Sequence, residues 1–213
     1  MEDLVVAISS GLADPTHRVV ALLVAIDGLG GAGKSTFAND LARRLRACQI
    51  SAEIVHMDDF YLPSTQRPQV EQQENQIGSA FDWQRLRDQV LTPLSLGQRV
   101  VYQRYDWSAD ELADWIPLTA TAVVIVEGVY TLRHELRSYY DFSVWVDCPR
   151  AVRLARGIAR DGKEARRQWE EEWMPQEDRY LASQLPHFAA GWVYAGNGPS
   201  DQNGMWKRLR PQR

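Results

Sequence analysis

Gly28-Leu29-Gly30-Gly31-Ala32-Gly33-Lys34-Ser35 is the stretch whose reading decides the fold. It fits G-x-x-x-x-G-K-[ST], the phosphate-binding loop. The glycines let the backbone wrap closely round a triphosphate with its N–H groups pointing inward. Lys34 would reach the β- and γ-phosphates, and the Ser35 hydroxyl would hold Mg²⁺. The helix that follows offers its N-terminus to the same anion. A flexible Gly-rich turn is the competing reading. Such an octet arises by chance in about 1% of chains this long, so the flanks matter. Before it, residues 19–26 are apolar and rich in β-branched side chains, as a buried parallel strand requires. After it, Phe37, Leu41, Leu45 and Cys48 recur at helical spacing. Strand, loop and helix together predict nucleotide triphosphate binding. The expected ATP contacts are Gly28, Gly30, Gly31, Ala32, Gly33, Lys34, Ser35 and Thr36.

The rest of the composition bounds the answer. A chain of 213 residues suits one α/β domain with a full core. The net charge of −4 argues against general nucleic-acid binding. Two cysteines, Cys48 and Cys148, make no disulfide framework and read as small buried hydrophobes of a reducing compartment. Residues 19–26, the longest apolar run, are too short to span a bilayer. Glu2 and Asp3 do not suit a signal peptide. The expectation is a cytoplasmic, single-domain protein over 1–213, with its core from about 19 to 195 and a loose tail over 196–213. The expected partner is a small-molecule phosphate acceptor, without nucleic acid or membrane. A homo-oligomer is compatible with the sequence.

The chain carries further strand and helix signals. Residues 1–18 suggest a short helix beside the first strand, ended by Asp14-Pro15. Residues 52–57 read as a second strand running into Asp58-Asp59-Phe60-Tyr61. Carboxylates at a strand's carboxyl end in such a sheet sit where ligands bind, though Asp also serves turns. Residues 64–80 are Gln-rich and read as a long loop, a frequent place for function. Asp82 is placed to cap a helix bearing Trp83, Leu86, Val90 and Leu91 that stops near Pro93. Val100-Val101-Tyr102 is strand-like, and residues 110–116 are amphipathic. Val123-Val124-Ile125-Val126-Glu127 is a buried strand ending in an acid, placed to complete a Mg²⁺ shell. Residues 142–146 and 192–195 are two more strands. Between them Arg153, Arg156 and Arg160 share one helical face. They form either a solvated face or an arginine lid over the phosphates. Trp169 and Trp173 read as packing anchors. The fold class is therefore α/β: a single-domain phosphate-loop NTPase, with a five-stranded parallel sheet flanked by helices and an arginine-bearing lid.

The motifs narrow this further. The loop, Met57-Asp58-Asp59-Phe60-Tyr61, Ala80-Phe81-Asp82-Trp83, Arg104-Tyr105-Asp106-Trp107, Val126-Glu127-Gly128 and residues 153–161 follow one another as in uridine kinases. From about 19 to 195 the chain resembles that superfamily, which also holds phosphoribulokinase, bacterial pantothenate kinase and nicotinamide riboside kinase. The resemblance implies an ATP- and Mg²⁺-dependent kinase, with Asp58 as general base. It implies Lys34, Arg156 and Arg160 for charge neutralisation, and Ser35, Asp58 and Glu127 for the metal. Asp59, Tyr61, Gln76, Phe81, Tyr105 and Asp110 are the implied acceptor contacts. Two positions depart from the pattern. Gln76 stands where those kinases carry a ribose-binding Asp, and Asp110 where they carry a base-reading His. An ionised Asp110 would favour an amino-bearing or cationic acceptor over uridine. Two other classes compete with an ATP:alcohol phosphotransferase: an NTPase switch and an ATP-dependent ligase. The switch lacks an Asn-Lys-x-Asp guanine-reading motif.

Overall fold

A computed structural model describes residues 1–14, 21–67, 77–196 and 206–210. Its strands in chain order are β1 (Leu22–Asp27), β2 (Ala52–His56), β3 (Val101–Asp106), β4 (Glu111–Pro117), β5 (Val123–Glu127), β6 (Phe142–Asp147), β7 (Trp192–Ala195) and β8 (Arg208–Arg210). Six form one sheet in the order β2-β5-β1-β6-β7-β8. The first five of these are parallel, as the alternation of strands and helices predicts, and β8 runs antiparallel on β7.

The central strands are apolar throughout because helices cover both faces. Successive β1 side chains point to opposite sides. Leu22, Val24 and Ile26 join a core with Leu4 and Ile8 of α1 (Glu2–Ala13) and Phe37, Leu41 and Leu45 of α2 (Lys34–Ala47). Leu23 joins the opposite core with Leu86, Val90 and Tyr180. Asp27, four residues beyond Leu23, ends β1 on that second face.

Helix α3 is composite: Trp83–Leu86, a π turn Arg87–Leu91, then Thr92–Ser95. Asp82 caps it by accepting from the Arg85 N–H at 3.0 Å. The helix takes in Pro93 and ends close after it, at Ser95. The wider π turn relieves the clash between a proline ring and the carbonyl of the preceding turn. Helix α4 (Arg150–Asp161) starts directly after Pro149, and α5 (Met174–Gln184) contains Pro175 just after a second π turn, Trp169–Trp173.

Two segments differ from expectation. The amphipathic segment, given no secondary structure from its sequence, belongs to β4 from Glu111 onward, which pairs with β3 in a separate antiparallel hairpin. The tail is not loose where it is described. Trp206 is buried edge-on against Phe37 (centroids 4.8 Å apart) and donates to Asp40 Oδ2 at 3.0 Å, and β8 follows it. One tryptophan anchors a segment whose Gly, Asn and Pro content reads as coil. Among the described residues no helix is long and apolar enough to cross a membrane.

Candidate active site

The loop 28–35 joins β1 to α2, where its sequence puts it. Gly31 and Gly33 have φ of +74° and +98°, left-handed values that disfavour side chains. A Cβ on Gly31 would also lie 2.4 Å from the Arg153 carbonyl oxygen, so α4 packs directly on the loop. Lys34 is 8% exposed and reaches back across the loop, its Nζ donating to the Leu29 carbonyl at 3.2 Å. Ser35 Oγ donates to Glu127 Oε1 at 3.0 Å. The same oxygen meets His56 Nδ1 at 2.6 Å. Burial alone would raise the Glu127 pKa, but His56, Lys34 and Ser35 outweigh it and hold the carboxyl below its usual value. Glu127 therefore stays ionised beside the loop. Parallel pairing of β1, β5 and β2 brings this cluster together, with Ile26 level with Glu127 and Glu127 level with His56.

Asp58 lies in the 3₁₀ turn Met57–Phe60 that leaves β2. Its carboxylate is open to solvent, yet protein walls surround it. That burial raises its pKa, against the pull of Lys34 and with the help of the Glu127 charge. A carboxylate poised this way can accept a proton.

These groups share a cleft of 470 Å³. Gly30, Gly31, Lys34, Ser35, Asp58 and Glu127 line one part of it. Tyr61, Phe81, Trp107 and Tyr130 line another, and Arg160, Asp161, Trp169, Trp173 and Glu177 close it from the lid side. Tyr61 is the hub of the aromatic part, stacked on Trp107 (4.7 Å, 26°) and edge-on to Phe81 (4.9 Å, 81°).

Several expected residues lie elsewhere. Gly28, Ala32, Gly33 and Thr36 do not line the cleft: Gly28 and Ala32 are buried within the loop, Gly33 faces Gly196, and Thr36 is exposed on the first turn of α2. Asp59 turns to Tyr102, whose hydroxyl lies 3.4 Å from its Oδ2. Tyr105 donates to Asp110 Oδ1 at 2.5 Å. Asp110 also accepts from the Ser64 N–H and hydroxyl and from Arg67 Nη2. Those hydrogen bonds hold its pKa well below the carboxylate range. Asp110 is thus saturated as a tie between the hairpin and residues 64–67. It does not line the cleft, and the preference for an amino-bearing acceptor loses its basis. The three lid arginines do not act alike. Arg160 reaches the cleft, paired with Asp161 and 5.8 Å over the Trp169 ring. Arg156 instead donates to the Gly196 carbonyl at 2.6 Å, and Arg153 is buried against Glu177. Gln76 lies outside the described residues.

Sequence reading missed other residues. Trp169 and Trp173 line the cleft instead of serving only as anchors, and Trp169 donates to Asp161 Oδ2 at 2.9 Å. Asp27 was visible as an acid closing an apolar strand directly before the loop. Nothing local marks Glu177 or Tyr130.

Fold, loop and cleft define a phosphate-loop kinase. Residues 23–179 match the family model described as the phosphoribulokinase/uridine kinase family. The chain belongs to that family and is a small-molecule kinase using ATP. It is 25% identical over 171 residues to a uridine kinase of Ureaplasma parvum, covering 75% of this chain and 82% of the relative. It is 30% identical over 147 residues to a uridine kinase of Clostridium novyi, covering 67% and 69%. The solved structure of a possible uridine kinase from Bacillus stearothermophilus superposes with a TM-score of 0.67 at 26% identity, over 90% of this chain and 97% of that one. Family membership favours phosphotransfer over the switch and the ligase.

Proposed function

We propose that this kinase transfers the γ-phosphoryl group of ATP to a hydroxyl of an uncharged acceptor with a flat ring, a nucleoside. The carrying observation is the aromatic part of the cleft. Tyr61, Phe81, Trp107 and Tyr130 offer ring faces and edges there. The only basic residues among those described that line the cleft are Lys34, on the loop, and Arg160, already paired with Asp161. Residues 68–76 contain no Lys or Arg either. Among the described residues that line the cleft, an acceptor bearing a phosphate or carboxylate would find no cation beyond the two that serve the phosphates of ATP.

Asp58 takes the acceptor's hydroxyl proton as that oxygen attacks the γ-phosphorus. The bond from phosphorus to the bridging oxygen breaks, and ADP leaves. Lys34 and the loop N–H groups offset charge on the phosphates, and Arg160 adds to this from the lid. Ser35 and Glu127 offer the hard oxygen donors that suit Mg²⁺, with Asp58 in the same cleft. Mg²⁺ usually keeps several waters and takes few protein ligands. When bound, it neutralises phosphate charge.

ADP formation should be measured with uridine, cytidine, nicotinamide riboside, D-glycerate and a sugar monophosphate as acceptors. At least one neutral nucleoside should exceed both anionic compounds by about 10²-fold or more in kcat/KM, as sites left with unmatched polar groups discriminate strongly. An anionic compound proving the best acceptor refutes this reading.

A further inference from the structure

The phosphate loop is gripped by side chains from elsewhere in the fold at two of its peptide groups. The Gly30 N–H donates to Glu177 Oε1 at 2.8 Å. Glu177 Oε2 accepts from Arg153 Nη1 at 3.0 Å, and the same nitrogen lies 3.5 Å from the Gly30 carbonyl oxygen. A carboxylate and a guanidinium therefore close on both ends of one residue's backbone. Two residues earlier, the Gly28 N–H donates to Asp27 Oδ1 at 2.6 Å. Asp27 Oδ2 accepts from the Tyr180 hydroxyl at 2.6 Å and from the Leu132 N–H at 2.7 Å. Glu177 and Tyr180 stand three residues apart on α5 and so share a face. All four side chains are buried: Asp27 and Tyr180 are 0% exposed, Arg153 3% and Glu177 5%.

Burying carboxylates is costly, and an apolar contact between α5 and the loop would bury them at no such cost. What polar groups add is direction. A hydrogen bond fixes how a peptide plane faces: holding the Gly28 and Gly30 N–H groups on carboxylates sets the path of the loop, so that its remaining N–H groups can face the phosphates.

We propose that α5 is a two-point brace on the phosphate loop, and that Glu177 and Tyr180 are positioning residues for ATP. Glu177 sets the Gly30 peptide directly, and Tyr180 sets Gly28 through Asp27. Without the brace the loop holds its binding shape for only part of the time. Apparent ATP affinity falls to that fraction of its full value. The inference rests on the loop binding ATP and not on the identity of the acceptor.

Three variants test it: Glu177→Ala, Glu177→Gln and Tyr180→Phe. Tyr180→Phe removes one hydroxyl and leaves the ring packed on Tyr130, 4.9 Å away. ATP affinity is read by calorimetry without acceptor, alongside Tm and the acceptor KM at saturating ATP. Glu177→Ala and Tyr180→Phe should each weaken ATP binding by about 10-fold or more, equal to about 1.4 kcal/mol. The acceptor KM should move by less than about 3-fold, since a shift confined to ATP marks lost loop positioning and not uniform loss of binding. Glu177→Gln keeps an oxygen for the Gly30 N–H and should recover part of the loss. Wild-type ATP affinity in Tyr180→Phe overturns the brace, even if Glu177→Ala fails to fold. Glu177→Gln binding no better than Glu177→Ala overturns the Gly30 contact. An acceptor panel won by an anionic compound would leave these titrations unchanged, so the two readings fail separately.

Discussion

Lys34 and Asp58 line the cleft and Asp27 is buried behind the start of the loop, and each of the three answers to a different measurement. Lys34 keeps its stem buried and its ammonium curled across the loop. Lys34→Ala should remove most ATP affinity while the far-UV circular dichroism spectrum stays that of the wild type, because only one hydrogen bond of the fold is lost. Unchanged ATP titration would exclude Lys34 from phosphate binding. Asp58→Asn keeps the side chain's shape and removes its ability to take a proton. Turnover should fall by about 10²–10⁴-fold, the range for general acid–base catalysis, with ATP affinity much less affected. Full turnover in Asp58→Asn would pass the role to another group. The raised Asp58 pKa also has a sign: the proton-accepting form is lost at a higher pH than for a free carboxylate, so the acid limb of the pH–rate profile should disappear in the variant. Asp27 acts on stability. Burial pushes its pKa up to about 6 from 3.8, although Tyr180, Leu132, Gly28 and Lys34 all pull it down. Between those values the folded chain holds a proton that the unfolded chain has lost. Stability is therefore lost as pH rises from about 4 through about 6, by about 3 kcal/mol in all. Asp27→Asn does not titrate. The gap in urea midpoint between wild type and variant should shift in the variant's favour across that window, and a constant gap would contradict the ionisation of Asp27.

Among the elements, α4 and the lid depend on one missing side chain. A Cβ on Gly157 would lie 2.4 Å from the Trp169 indole, which itself rests on Gly30. Gly157→Ala puts a methyl where the ring must sit, and overpacking of this kind costs about 1–3 kcal/mol. Both Tm and ATP affinity should fall, since the displaced ring covers the loop. A rise in Tm, as expected for Gly→Ala in a helix with open space, would show that the ring does not pack there. The arginines of α4 teach a related lesson. Their common face is visible from spacing, yet Arg153 and Arg156 find their partners on the loop, on α5 and at Gly196 after β7, and Arg160 pairs with its neighbour Asp161 over the Trp169 ring. Helical periodicity tells which residues point together and is silent about what they meet.

At the scale of the whole molecule, the cleft lies at the carboxyl ends of β1, β2 and β5, as it does in open parallel sheets generally. Much of this was legible in the chain. The five parallel strands could be read because strands covered on both faces are continuous apolar runs bounded by loops. The phosphate loop could be read because wrapping a triphosphate needs contiguous residues of fixed type. Asp58 and Glu127 could be read because each ends such a strand. Asp110 was misread because its partners, Ser64 and Arg67, lie on a different segment, and they consume the carboxylate. Trp206 and β8 were missed because one buried ring outweighs a coil-like composition. What shapes the loop was not legible at all, since Glu177 meets Gly30 across a separation of 147 residues and Tyr180 meets Asp27 across 153. The sequence by itself determined the chemistry that local, contiguous residues perform: a phosphate-binding loop on a parallel sheet with acids at its strand ends. The tertiary structure alone decided which side chains are left free to act. Burial and hydrogen bonding between distant segments either saturate a charged group, as at Asp110 and Arg156, or leave it facing the cleft, as at Asp58.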